Sequence, residues 1–267
     1  KWSTATAAFQ VEGATRKDGR GPSIWDEYVQ KPGKIRDNST ADVACDSYHN
    51  YMDDIKLMKA LGVSHYRFSL SWPRIFPNGV PSVINRKGLH YYHALIDALK
   101  ENGIEPMVTL YHWDLPLGLH VKGGWLNQEI VKWFRLYAIF CFREFGDKVC
   151  DSFRTFPFSF FFFILLFYTT FLYTFVFVTE NGCMNTPGEG RNDLTRIRYL
   201  RDHIAAVSKA IADGCNVIGY TVWSLMDNFE WADGYANLFG VHEVRINSYL
   251  LFSEKRRSVE NHITIGW

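Results

Sequence analysis

Along this chain, short apolar runs rich in β-branched and aromatic residues alternate with stretches that repeat apolar positions every three to four residues. Residues 63–71 (VSHYRFSLS) and 104–111 (IEPMVTLY) read as strands that end in polar and aromatic side chains. The helical period predicts helices over 48–61, 86–102 and 128–145, with Gly62, Gly103 and Gly146 standing where each should stop. Farther along, 175–179 and 216–223 read as strands flanking a helix over 194–213.

With an N-terminal run near 6–10, five strands of one type emerge. Alternation of strand and helix predicts βα units around a parallel sheet, that is, an α/β fold of the TIM (β/α)8 barrel type with about five of eight strands recognisable and the middle missing. At 267 residues the chain is long enough for one such barrel. Its pieces divide as 1–149 and 175–245, separated by an apolar low-complexity insert over 150–174 and followed by a divergent tail over 246–267.

The insert breaks the pattern. From Thr155 to Thr179 there are 25 residues without a charge, ten of them Phe, with neither a strand nor a helix period. Three origins compete. Length and hydropathy suit a membrane span, but no basic cluster flanks it and a span would consume the strand before Glu180. A buried core element would need a polar or packing period that the run lacks. The reading favoured by the residues is a translated pyrimidine-rich non-coding tract, since Phe, Leu, Ser, Tyr, Ile and Val are what T-rich codons specify.

Composition changes the picture only by exclusion. A formal net charge of +1 with scattered Lys and Arg gives no basic stripe, so nucleic acid is not an expected partner. Five cysteines (Cys45, Cys141, Cys150, Cys183, Cys215) fall far apart without ligand spacing, against both a disulfide framework and a zinc site. No secretory signal is visible after Lys1, the start is read as incomplete, and the sequon Asn38-Ser39-Thr40 leaves cytoplasmic and secreted locations equally open.

Chemistry gathers at the strand ends. Val178-Thr179-Glu180-Asn181-Gly182 ends a strand on a carboxylate, which a barrel would aim into its mouth, although a turn-capping carboxylate is the plainer alternative. Trp223 to Trp231 (WSLMDNFEW) follows another strand and sets indoles beside acids, a pairing that suits the C–H faces and hydroxyls of a sugar, although an aromatic stripe taken alone is more often core than ligand platform. Tyr111-His112-Trp113-Asp114-Leu115-Pro116 and Tyr66-Arg67-Phe68-Ser69, with Ser71-Trp72-Pro73-Arg74, stand at two more ends.

These runs in this order, with ATAAFQVEGA over Ala5 to Ala14, resemble glycoside hydrolase family 1, the β-glucosidase, lactase and klotho-like group. The resemblance covers 1–149 and about 175–243. It implies hydrolysis of O-glycosyl bonds in β-glycosides or oligosaccharides with retention of configuration, without metal or organic cofactor. It also implies Glu180 as nucleophile, Arg67 as its support, and Gln10, His112, Trp223, Glu230 and Trp231 as sugar-binding residues.

One part of the family pattern is absent. Retention needs a second carboxyl about 5–5.5 Å from the nucleophile to protonate the leaving oxygen, and the family carries it in a Thr-Phe-Asn-Glu-Pro strand end. Here Thr155-Phe156 is followed by Pro157-Phe158-Ser159, with no carboxylate between Asp151 and Glu180. The expectation is therefore a glycosidase impaired by loss of its acid/base. A non-catalytic glycan-binding or interaction protein and a membrane-tethered fragment are the alternatives, with a membrane the less expected of the partners.

Overall fold

A computed structural model of the chain describes residues 1–149, 176–247 and 250–255. Its centre is a five-stranded, wholly parallel sheet in the order β3-β2-β1-β5-β4. The strands are β1 (Trp2–Ala5), β2 (His65–Ser69), β3 (Glu105–Thr109), β4 (Val176–Asn181) and β5 (Val217–Trp223). One-turn helices α1 (Ala8–Val11) and α4 (Trp72–Ile75) follow β1 and β2, and α2 (Ile24–Tyr28) and α6 (Leu117–His120) lie in the loops. The long helices are α3 (Ser47–Leu61), α5 (Arg86–Glu101), α7 (Ile130–Phe145) and α8 (Leu194–Ala212).

The expected βα alternation is thus present as a truncated barrel. In α5 the buried Leu89, Tyr92, Ile96 and Leu99 recur at helical spacing, which fixes the face turned to the sheet. Against it α7 brings Tyr137, Cys141 and Phe145, and Tyr137 stacks on Trp72 of α4 at 4.7 Å. Gly62 stops α3 in a left-handed conformation (φ 71°), as a C-terminal glycine should. Gly146 does not: at φ −57° it remains helical and leads into a 3₁₀ turn over Gly146–Lys148.

The N-terminal strand begins at Trp2 rather than at Thr6, and the run assigned to it by pattern winds into α1. The reason is visible in its partners. Ser3 and Thr4 are buried because their hydroxyls reach β5, Ser3 Oγ lying 2.5 Å from Thr221 Oγ1 and Thr4 Oγ1 donating to the Val222 carbonyl at 3.3 Å. A strand satisfied in this way has no apolar alternation to read.

The sheet is curled. His65 of β2 and Phe177 of β4 approach to 6.2 Å between ring centroids, although β1 and β5 lie between their strands. Beyond β5, β6 (His242–Asn247) and β7 (Leu250–Lys255) form an antiparallel pair, which no periodicity in the chain predicts.

The run 155–179 falls outside the described residues except for its last four, which belong to β4. Among the described residues no helix is long and apolar enough to cross a membrane, and no cluster of His, Cys, Asp and Glu could hold a metal. The four described cysteines are free thiols; Cys150 lies outside the described residues.

Candidate active site

Parallel strands of a barrel deliver their last residues to one rim, and the curl of this sheet brings those of β2 and β4 into contact. Arg67 Nη1 donates to Glu180 Oε2 at 2.6 Å and to the Thr179 carbonyl at 3.1 Å. Its Nε donates to Thr109 Oγ1 at 3.0 Å, so the guanidinium is held from β3 as well. The Arg67 side chain is buried while that of Glu180 is 41% exposed, which leaves the carboxylate open to a ligand. Tyr220 OH donates to Asn181 Oδ1 at 2.5 Å and fixes the strand end beside it.

A second cluster joins α1 to the segment after β5. Gln10 of α1 is fully buried, and its Nε2 donates to Asn228 Oδ1 (2.8 Å), the Phe229 carbonyl (2.9 Å) and Glu230 Oε2 (3.2 Å). Trp223 Nε1 donates to Glu230 Oε1 at 3.3 Å. Burial pushes the Glu230 carboxyl up to about 7, against the opposing pull of the Trp223 and Gln10 donors and with help from the negative charge of Glu180.

His112, just past β3, links the two clusters. Its ring lies parallel to Trp223 at 5.7 Å and to Trp231 at 5.9 Å. Burial, with the Arg67 charge in addition, pushes its imidazole down to about 3, so the ring is neutral near pH 7. Trp231 is held at φ 56° and packs on Phe9, Trp25 and Trp113, which form an aromatic floor. Gly182 has no substitute here, because a Cβ on it would stand 2.0 Å from the Trp223 carbonyl oxygen.

All seven residues singled out from sequence therefore meet at one rim. Glu180 and Arg67 touch directly; Gln10, Glu230 and Trp223 form one hydrogen-bonded group; His112 stacks between Trp223 and Trp231. Sequence reasoning passed over Thr109 and Asn228. Thr109 lies two residues before the end of the strand predicted over 104–111 and Asn228 lies inside the singled-out Trp223 to Trp231 run, so position alone could have drawn attention to both.

Chemically the rim offers an exposed carboxylate on a fixed cation, a half-buried carboxyl poised near neutrality, a neutral imidazole and flat indole faces. That is a set of oxygen acceptors and apolar planes suited to a pyranose.

The model of the family described as "Glycosyl hydrolase family 1" matches in two segments, residues 1–173 and 154–262. Beta-glucosidase A of Acetivibrio thermocellus is 53% identical over 148 residues, 55% of this chain and 33% of that protein. The cytosolic beta-glucosidase of Homo sapiens is 51% identical over 149 residues, 55% of this chain and 32% of its own length. The match thus spans about a third of the length of these curated relatives. Among solved structures, the family 1 b-glucosidase from Thermotoga maritima aligns with a TM-score of 0.85 at 27% identity, covering 97% of this chain and 95% of that one. By its matched segments and its curled parallel sheet, the chain belongs to glycosyl hydrolase family 1.

Proposed function

We propose that this chain holds a β-glucoside through its nonreducing sugar and attacks it with Glu180, forming a covalent glycosyl-enzyme that it resolves poorly. The observation that carries this is the Arg67–Glu180 pair at 2.6 Å beside the group formed by Gln10, Trp223 and Glu230. In this scheme Glu180 attacks the anomeric carbon, and the aglycone oxygen departs with the bonding electron pair. Arg67 orients the carboxylate, Trp223 and Trp231 face the sugar, and Gln10, His112 and Glu230 meet its hydroxyls.

With no Asn-Glu after Phe156, the leaving oxygen departs unprotonated and no base activates the water that would release the sugar. General acid–base assistance is worth about 10² to 10⁴-fold, so natural glycosides with poor leaving groups turn over slowly by about that factor. An aglycone that leaves as a stable anion needs no proton and separates the two half-reactions.

The test is a burst experiment with 2,4-dinitrophenyl β-glucoside. The expected result is release of about one equivalent of phenolate per chain, followed by a stall, with a single hexosyl adduct on the peptide containing Glu180. Added azide should restart turnover by attacking the adduct, and Glu180→Gln should show neither burst nor adduct. An adduct elsewhere, or steady turnover without a burst, defeats the proposal.

A non-catalytic glycan-binding role is the second reading. The missing Asn-Glu favours it, because the sugar-facing group does not depend on that segment. Saturable glucoside binding with no phenolate release would select it.

A further inference from the structure

A carboxamide presents donors at one end and an acceptor at the other. Which end of Gln10 a ligand meets therefore decides what that ligand must offer. The answer is set by a chain of obligate acceptors that begins at a backbone carbonyl.

Ser224 Oγ donates to the Met226 carbonyl at 2.7 Å, so its lone pairs are what it turns to Asn228 Nδ2, 2.8 Å away. Asn228 Nδ2 also donates to the same Met226 carbonyl at 2.9 Å. Both neighbours accept, so the NH2 of Asn228 must lie on this side and its Oδ1 on the other. That oxygen accepts from Gln10 Nε2 at 2.8 Å, beside the Phe229 carbonyl and Glu230 Oε2. A Gln10 amide turned end for end would set its oxygen against Asn228 Oδ1 and the Phe229 carbonyl, neither of which can donate, and forfeit both of those bonds.

Gln10 Oε1 is the atom left over, buried and without a protein partner. A buried acceptor in that state carries an unmet desolvation cost, which a ligand relieves only by donating a proton to it.

We infer that Asn228 is a positioning residue: it locks the Gln10 amide with its oxygen free for the ligand, so the site selects a sugar that donates a hydroxyl hydrogen at that point. The inference rests on the glycone-binding reading of the site. Asn228 itself is buried and bonds Gln10 directly, with Glu230 alongside. A carbon–fluorine bond is similar in size to a hydroxyl but cannot donate, and it would meet Gln10 Oε1 lone pair to lone pair.

The experiment has two arms, both on the full chain. In the first, binding of methyl β-glucoside and its four monodeoxyfluoro analogues is measured by calorimetry for the wild type, Asn228→Ala and Asn228→Asp. At least one analogue should bind the wild type about tenfold or more weakly than the parent. Asn228→Asp still offers Gln10 an acceptor and should keep that ratio. Asn228→Ala should shrink it to about threefold or less. A ratio unchanged in Asn228→Ala, with all ligands weakened alike, would reduce Asn228 to a structural role and overturn the inference.

The second arm needs no ligand. Hydrogen exchange at the Gln10 side-chain amide, followed by NMR, should be strongly retarded in the wild type and in Asn228→Asp but fast in Asn228→Ala. Fast exchange in the wild type overturns the inference whatever binds. Retarded exchange with no glucoside bound would instead uphold the positioning role and refute the glycone-binding reading.

Discussion

Replacing Glu230 by Gln should stabilise the protein at pH 8 and weaken it slightly at pH 5. Unfolded, this carboxyl loses its proton near its ordinary value of 4.5; folded, burial keeps the proton on until about 7. Between those values the folded state binds more protons than the unfolded one, so the contribution of Glu230 to stability falls as pH rises through that window. Converted at about 1.4 kcal/mol per unit and discounted for the partial exposure of the side chain, the burden at pH 8 is about 2 kcal/mol. The amide never bears it. It does present an NH2 where both neighbours, Trp223 Nε1 and Gln10 Nε2, are donors, so one hydrogen bond worth about 1 kcal/mol is lost at either pH. The net expectation is a gain of about 1 kcal/mol at pH 8, a loss of up to about 1 kcal/mol at pH 5, and a difference of about 2 kcal/mol between the two. Urea unfolding of both proteins at both pH values measures it directly. A variant effect independent of pH would refute the reasoning, because it would mean that Glu230 titrates alike in the folded and unfolded chain.

Glucoside affinity should follow the same carboxyl: if sugar hydroxyls donate to ionised Glu230, calorimetry should find binding about tenfold weaker at pH 6 than at pH 8, and Glu230→Gln should flatten the profile. Arg74→Met leaves buried Glu12, 2.8 Å from the lost Nε, with Tyr92 OH as its remaining side-chain partner. Its urea midpoint should drop by the equivalent of about 3–5 kcal/mol, and a loss under about 1 kcal/mol would show that the pair is not buried as described. Gly182→Ala forces the Trp223 carbonyl to move, at a cost of about 1–3 kcal/mol. Glucoside affinity should fall with it, and unchanged affinity would mean that Trp223 does not face the sugar.

The long helices and four of the five central strands were legible: α5 shows its apolar face residue by residue, and β2, β3, β4 and β5 coincide with short runs rich in β-branched and aromatic residues. β1 was not, because Ser3 and Thr4 are buried through hydroxyl contacts to residues more than two hundred positions away, which no local window contains. The pairing of β6 with β7 was missed for a related reason, since Leu250–Lys255 (LLFSEK) has no alternation of its own. At the site, the family resemblance carried by the strand-end and aromatic–acid runs implied seven residues. What they could not announce is orientation. Thr109 holds Arg67 from the neighbouring strand and Asn228 holds Gln10 from the segment after β5, the partner of β1, while Arg67 on Glu180 is the contact that only a curled sheet brings within reach.

β1 lies hydrogen-bonded between two partners of very different origin, β2 about sixty residues on and β5 at the far end of the chain. Its first four residues are therefore the seam along which the two halves of the molecule are joined. The early half emerges in synthesis with one flank of β1 still open, and closes only when Tyr220 to Trp223 arrive. Such long-range closure makes folding slow. It also means that a chain cut between residues 149 and 176 would have a seam to hold it, so that two separate peptides could rebuild a rim to which each contributes.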